Sequence, residues 1–177
     1  MAQQSNQVLV FMNIVLPTVY LVISAIGIVG NVLVILVLRK VAHKSITDTL
    51  VQNLAVADLM FTLFLPFWAV EKYEEGIWRF GSFMCQFISF IFLLNLYASV
   101  YFLTALSVDR YYSVCYPIHS RKVRTATYST LLTLGTWSIA GVLSVPAFKL
   151  RTLCHLGANE FQSTGIRATY VRYSFLI

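Results

Sequence analysis

Charge is scarce in this sequence. Only 11% of its 177 residues are Asp, Glu, Lys or Arg, against about 25% in an ordinary soluble domain, which excludes a water-facing surface over most of the chain. Acids are scarcer than bases, seven against thirteen. The resulting net charge of +6 does not imply a nucleic-acid partner, because the bases are grouped. Arg39, Lys40 and Lys44 follow the first apolar run, and Arg110, Arg121, Lys122 and Arg124 lie at or after the third. That is the pattern of loops kept on the inner side of a membrane. There is no N-x-S/T acceptor for N-glycosylation. The start, MAQQSNQ, lacks the basic residues and cleavage site of a signal peptide, so the first apolar run is expected to serve as an uncleaved anchor. No Gly-rich phosphate loop, H-E-x-x-H or G-x-S-x-G occurs. His43, His119 and His155 are scattered in connectors, and the neighbours Cys154 and His155 do not have a metal-site spacing. Neither an enzyme nor a tightly bound cofactor is expected, and neither an internal repeat nor a low-complexity stretch is present.

What the chain has is long apolar runs. The mean hydropathy is +0.74, and from Phe80 to Val108 there is no charged residue at all. Crossing a bilayer takes about 20 apolar residues, so the expected architecture is an all-α integral membrane bundle. Its spans are placed at about 8–38, 47–70, 83–114 and 126–148, with a fifth opening near 170. Pro17 falls in the outer part of the first span. Gly27, Gly30 and Asn31 lie in its inner half, where small residues admit a neighbouring helix and an amide can bond across the interface. Pro66 is expected to kink the second span, and Pro117 to stop the third. Trp137 marks the middle of the fourth and Pro146 its outer end. The basic loops put the N-terminus outside, with the connectors after the first and third spans inside.

Four constellations could carry chemistry. Asp58 is an acid in mid-membrane, costly unless neutralised, hydrated or given a cation. Asn95 and Ser99, four apart on one face of the third span, could complete an all-oxygen pocket for a small hard cation such as sodium. A protonated Asp58 bonded to neighbouring helices fits equally well. At the inner edge stand Asp109, Arg110 and Tyr111. Asp109 can hold the Arg110 guanidinium by a charge-assisted hydrogen bond, and release would let Arg110 reach a cytoplasmic partner; the plainer alternative is an arginine snorkelling to lipid headgroups. Cys85 and Cys154 both fall on the outer side, where a disulfide is chemically permitted, while Cys115 falls inside. Glu71 and Glu75 are four apart at the outer end of the second span, with Trp68 one turn earlier. They would attract a basic ligand, or simply form a solvated helix end beside Lys72 and Arg79.

Taken in order, Gly30-Asn31-Val32, Asn53-Leu54-Ala55-Val56-Ala57-Asp58, Trp78-Arg79-Phe80-Gly81, Cys85, Ser107-Val108-Asp109-Arg110-Tyr111, Pro117, Trp137 and Pro146 resemble the rhodopsin-like (class A) G-protein-coupled receptors across nearly the whole chain. Within them, residues 65–71 and 95–114 are most similar to the peptide-binding branch: relaxin-family (insulin-like) peptide receptors first, with angiotensin and chemokine-type receptors just behind. The resemblance implies a sodium pocket of Asp58, Asn95 and Ser99, a Cys85–Cys154 disulfide, Arg110 as the inner-face switch, and acids at the top of the second span facing basic residues of a peptide hormone. It also implies seven spans, so the chain is expected to be the N-terminal part of a multi-pass plasma-membrane receptor. The expected partners are an extracellular peptide, a heterotrimeric G protein when the bundle is complete, membrane lipid, and another receptor as a pairing partner. The competing expectation is a non-signalling four-span protein that acts only by pairing with full-length receptors. A transporter or channel subunit would need charges along a path, and Asp58 offers one site.

Overall fold

The computed structural model of the chain describes residues 2–41, 45–73, 80–117 and 125–147. They form four helices: α1 (Ala2–Arg39), α2 (Ile46–Tyr73), α3 (Gly81–Cys115) and α4 (Ala126–Ser144). The expected opening of a fifth span lies outside the described residues. The helix starts follow local chemistry. Before α2, Ser45 and Asp48 form a capping box: the Asp48 N–H donates to Ser45 Oγ (3.1 Å) and the Ser45 N–H to Asp48 Oδ2 (2.9 Å). Thr125 caps α4, its hydroxyl accepting the Tyr128 N–H at 3.2 Å. Gly81 opens α3 with φ of 77°, a left-handed conformation that a side chain would strain. At the other end of α3 the Tyr116 N–H closes on the Tyr112 carbonyl, immediately before Pro117, where the sequence predicts the stop. Pro17 and Pro66 lie inside α1 and α2.

The helices pack in sequence, α1 on α2, α2 on α3 and α3 on α4, with α4 also touching α2. Two clusters fill the interior. One joins Leu50, Ala57, Ala98, Phe102 and Ala140, with Trp137 against it; the alanines let backbones approach where no water drives helices together. The other, toward the outer end, joins Leu65, Trp68 and Ile88 with Phe61, Phe64 and Phe67 around them. Elsewhere large apolar residues face outward, including Ile26, Val29, Leu33 and Val37 of α1, as a lipid-facing surface requires.

The α1–α2 seam corrects one expectation in detail. Gly27 is the point of close approach: a Cβ there would lie 2.5 Å from Thr62 Cγ2. Beside it the buried Ser24 hydroxyl donates to the Thr62 carbonyl at 2.7 Å. Gly30 faces open space. The Asn31 amide does not cross the interface but donates to the Gly27 carbonyl of its own helix at 2.9 Å. The helical repeat explains the difference, since Gly30 is nearly a full turn from Gly27 yet rotated off the contact line.

Residues 13–39, α2 and α3 are each long and apolar enough to cross a membrane. Helix α4, Ala126–Ser144, is shorter than these three. Thr127, Ser129, Thr130, Thr133, Thr136 and Ser138 dilute its apolar content. Several of these hydroxyls are turned inward or bond back to the helix, as Thr133 does to the Ser129 carbonyl at 3.0 Å.

Candidate functional site

Three of the residues singled out from sequence meet at the middle of the α2–α3 interface. The Asn95 side-chain amide donates to Asp58 Oδ1 at 2.8 Å, and the Ser99 hydroxyl donates to the same oxygen at 3.3 Å. The Asn95 amide also lies 3.4 Å from Ser99 Oγ. All three side chains are half-buried. The geometry follows from two helical facts: Asn95 and Ser99 are one turn apart on α3, and Ala57 and Ala98, both buried, let α2 and α3 come together there. One turn outward, Thr62 Oγ1 donates to the Asp58 carbonyl at 2.9 Å.

A second polar link ties α4 to α2. Trp137 Nε1 donates to Asn53 Oδ1 at 3.1 Å, and the Asn53 amide donates to the Thr49 carbonyl at 2.8 Å. The Trp137 ring meets the fully buried Phe102 edge-on, centroids 5.9 Å apart. Trp137 thus links α4 to both α2 and α3. Sequence reasoning gave Asn53 no role; the available signal was a short amide inside an apolar run, which needs a partner wherever lipid or core surrounds it.

At the inner end, Asp109 receives a hydrogen bond from Thr47 Oγ1 of α2 at 3.0 Å. Thr47 was not singled out from sequence. Arg110 and Tyr111 are exposed, and Tyr111, Tyr112 and Tyr116 form a ring cluster with centroids 5.7 to 6.3 Å apart. Cys115 is exposed on the same end of α3.

At the outer end Trp68 and Glu71 are both buried. Trp68 packs edge-on against Phe61 and Phe92, at 5.9 and 5.3 Å. Burial of Glu71 differs from a simple solvated helix end, because α2 continues to Tyr73 and carries the acid against the bundle. Cys85 is buried near the start of α3. Glu75, Trp78 and Cys154 lie outside the described residues, as does the expected disulfide. Pro146 is exposed just past α4.

Residues 30–163 match the family model of the 7 transmembrane receptor (rhodopsin family). The chain belongs to that family. It is therefore a multi-pass membrane protein of a receptor family, not an enzyme. It is 40% identical over 164 residues to the human type-1 angiotensin II receptor, covering 92% of this chain and 44% of that protein. It is 37% identical over 164 residues to the bovine one, with the same coverage. Against the human C-C chemokine receptor type 4 it is 36% identical over 151 residues, covering 85% of this chain and 41% of that receptor. The chain thus spans less than half the length of the curated relatives it matches.

Proposed function

We propose that this chain is the N-terminal part of a plasma-membrane, G-protein-coupled receptor for an extracellular peptide, with its N-terminus outside. The peptide engages the outer end of α2 at Trp68, Glu71 and Glu75, close to the segment carrying Cys154, which a disulfide to Cys85 ties to α3. Glu71 is the observation that carries this reading. Trp68 and Glu71 bring an aromatic ring and an acid together at the outer end of a membrane helix, where negative charge attracts a basic side chain and the ring offers it a face.

At mid-membrane, Asp58, Asn95 and Ser99 would offer a sodium ion one carboxylate for charge, a hydroxyl oxygen and, once the Asn95 amide turns from donating to Asp58, its carbonyl oxygen, all within one half-buried cluster. A hard cation prefers this oxygen-only donor set, and its charge would stabilise the ionised Asp58. At the inner end, Asp109 restrains Arg110, and Tyr111 lies beside them. Binding outside favours the state in which Arg110 is released to a heterotrimeric G protein, through differential affinity for the two states.

The test is a receptor in which this chain is continued by its remaining helices. Glu71→Ala is expected to weaken binding of a basic peptide by more than about tenfold, the usual consequence of removing a buried charge partner. Unchanged affinity would remove Glu71 from the site.

A further inference from the structure

Pro66 leaves a gap in the hydrogen-bond ladder of α2. In an unbroken helix the N–H of residue 66 would donate to the Thr62 carbonyl, four residues back; proline has no N–H, and its ring crowds that carbonyl. Inside hydrocarbon a carbonyl freed in this way has to be met by a neighbouring side chain, a trapped water or a local shift of the backbone. Ser24 of α1 stands at the place. Its hydroxyl donates to the Thr62 carbonyl at 2.7 Å, and both residues are buried, Ser24 at 3% and Thr62 at 6% exposure. The Thr62 hydroxyl does not serve its own carbonyl, because it is turned back to the Asp58 and Leu59 carbonyls at 2.9 and 3.1 Å. Tyr20, Ser24 and Gly27 share one face of α1 and straddle the gap. Tyr20 packs against the cluster of Leu65, Trp68 and Ile88, while Gly27 seats the Thr62 side chain.

We propose that Ser24 is a positioning residue for the outer end of α2: it supplies from α1 the hydrogen bond that Pro66 deletes, and so fixes the direction in which α2 carries Trp68 and Glu71. The importance of those two side chains rests on the reading of the outer end as a peptide site, whereas the relation between Ser24 and Pro66 does not. Helices bend sharply at proline because a rung of the ladder is missing there. The bond from Ser24 closes that rung from the α1 side, so the bend of α2 is tied to the course of α1. Without it the segment from Pro66 to Tyr73 loses its anchor, and Glu71, 9% exposed in the structure, is the group whose cover changes.

Carboxyl labelling of the folded 177-residue chain in detergent micelles tests this, with a water-soluble carbodiimide and glycine ethyl ester as the probe. Mass spectrometry reads the rate at Glu71, with Asp48 at the other end of α2 as internal reference. Ser24→Thr keeps the hydroxyl, and Ser24→Val has the same shape without it. The Glu71 rate is expected to be about three- to fifteenfold higher in Ser24→Val than in Ser24→Thr, the span of interhelical side-chain bonds in membranes written as a ratio, with the Asp48 rate unchanged. Equal Glu71 rates in the two folded variants overturn the proposal. If either variant loses its helical circular-dichroism signal, a cycle with Pro66→Ala decides. That substitution returns an N–H to the Thr62 carbonyl, so Ser24→Ala in its background is expected to change the Glu71 rate by less than about twofold, while Ser24→Ala with Pro66 in place raises it. A Ser24→Ala effect of the same size in both backgrounds overturns the proposal, because Ser24 would then hold the seam whether or not proline is present. Failure of the peptide-site reading looks different: Glu71→Ala leaves the affinity of the completed receptor for a basic peptide unchanged, while the Glu71 labelling rate still follows Ser24.

Discussion

Toward the outer end, from Phe61 to Trp68 on α2 and from Phe83 to Phe92 on α3, the interface is filled by rings. Phe64 meets Phe87 at 5.5 Å, Phe67 meets Phe80 at 5.0 Å, and Trp68 meets Phe92 at 5.3 Å. Deeper in, the same two helices are spaced by Ala57 and Ala98 and crossed by hydrogen bonds at Asp58–Asn95 and Thr47–Asp109. Ring contacts are held mainly by apolar burial, each adding about 0.5–1.5 kcal/mol of its own, and volume-conserving apolar swaps are tolerated with little loss. Hydrogen bonds in apolar surroundings are made or broken with little between, so that half of the interface has discrete arrangements. On the proposed reading, the outer half would adapt around a ligand and the inner half would hold one of two states.

Substitutions in the purified chain, read by unfolding in detergent micelles, can break this contrast. The largest effect is expected at Trp68, where replacement by Ala costs about 3–5 kcal/mol. Trp68→Phe recovers most of that loss; a Phe as damaging as Ala would show that the outer half is as directional as the inner. The α1–α2 seam provides a control in which shape alone decides. Gly27→Ala is expected to cost about 1–3 kcal/mol through overpacking. Thr62→Ser in the same chain restores stability, because it removes the Cγ2 atom that a Cβ would meet at 2.5 Å. In the inner half, Asn95→Leu costs about 1–3 kcal/mol by depriving the Asp58 carboxylate of its nearest donor. Leu is expected to do no better than Ala there, and a clear rescue by Leu would mean that packing rather than hydrogen bonding holds that region. The smallest effect is expected for Trp137→Phe, which keeps a ring beside Phe102 but loses the bond to Asn53, at about 0.6 kcal/mol.

Much of this was legible before any coordinates. The apolar runs, the basic connectors and the stop at Pro117 follow from hydropathy, charge and proline chemistry, which act locally. Asp58, Asn95 and Ser99 could be grouped because an acid in an apolar span must find company and α3 offers a polar pair at helical spacing. The misses are questions of rotation and partner choice. Gly27 and Gly30 are equivalent in composition, and only the packing angle of α1 on α2 decides which one touches Thr62. Asn31 could have bonded across the seam or along its own helix, and the carbonyl one turn back was nearer. Thr47 and Asn53 have no role assignable from sequence because a single hydroxyl or amide has many potential partners until the neighbouring helix is in place. Sequence leaves Glu71 as either an acid that attracts a basic ligand or a helix end open to water, and its burial depends on how far α2 continues beside the bundle.

The Asp58 cluster is the hinge between these two halves, and thermal unfolding in different salts addresses it. The purified chain and its Asp58→Asn variant are compared in sodium chloride and in potassium chloride at equal ionic strength. Sodium is expected to raise the unfolding midpoint of the wild-type chain above its value in potassium, and to leave Asp58→Asn unmoved. A wild-type chain indifferent to the choice of cation, or an Asp58→Asn chain that responds to sodium as fully as the wild type, would contradict the assignment of these three residues as a cation pocket.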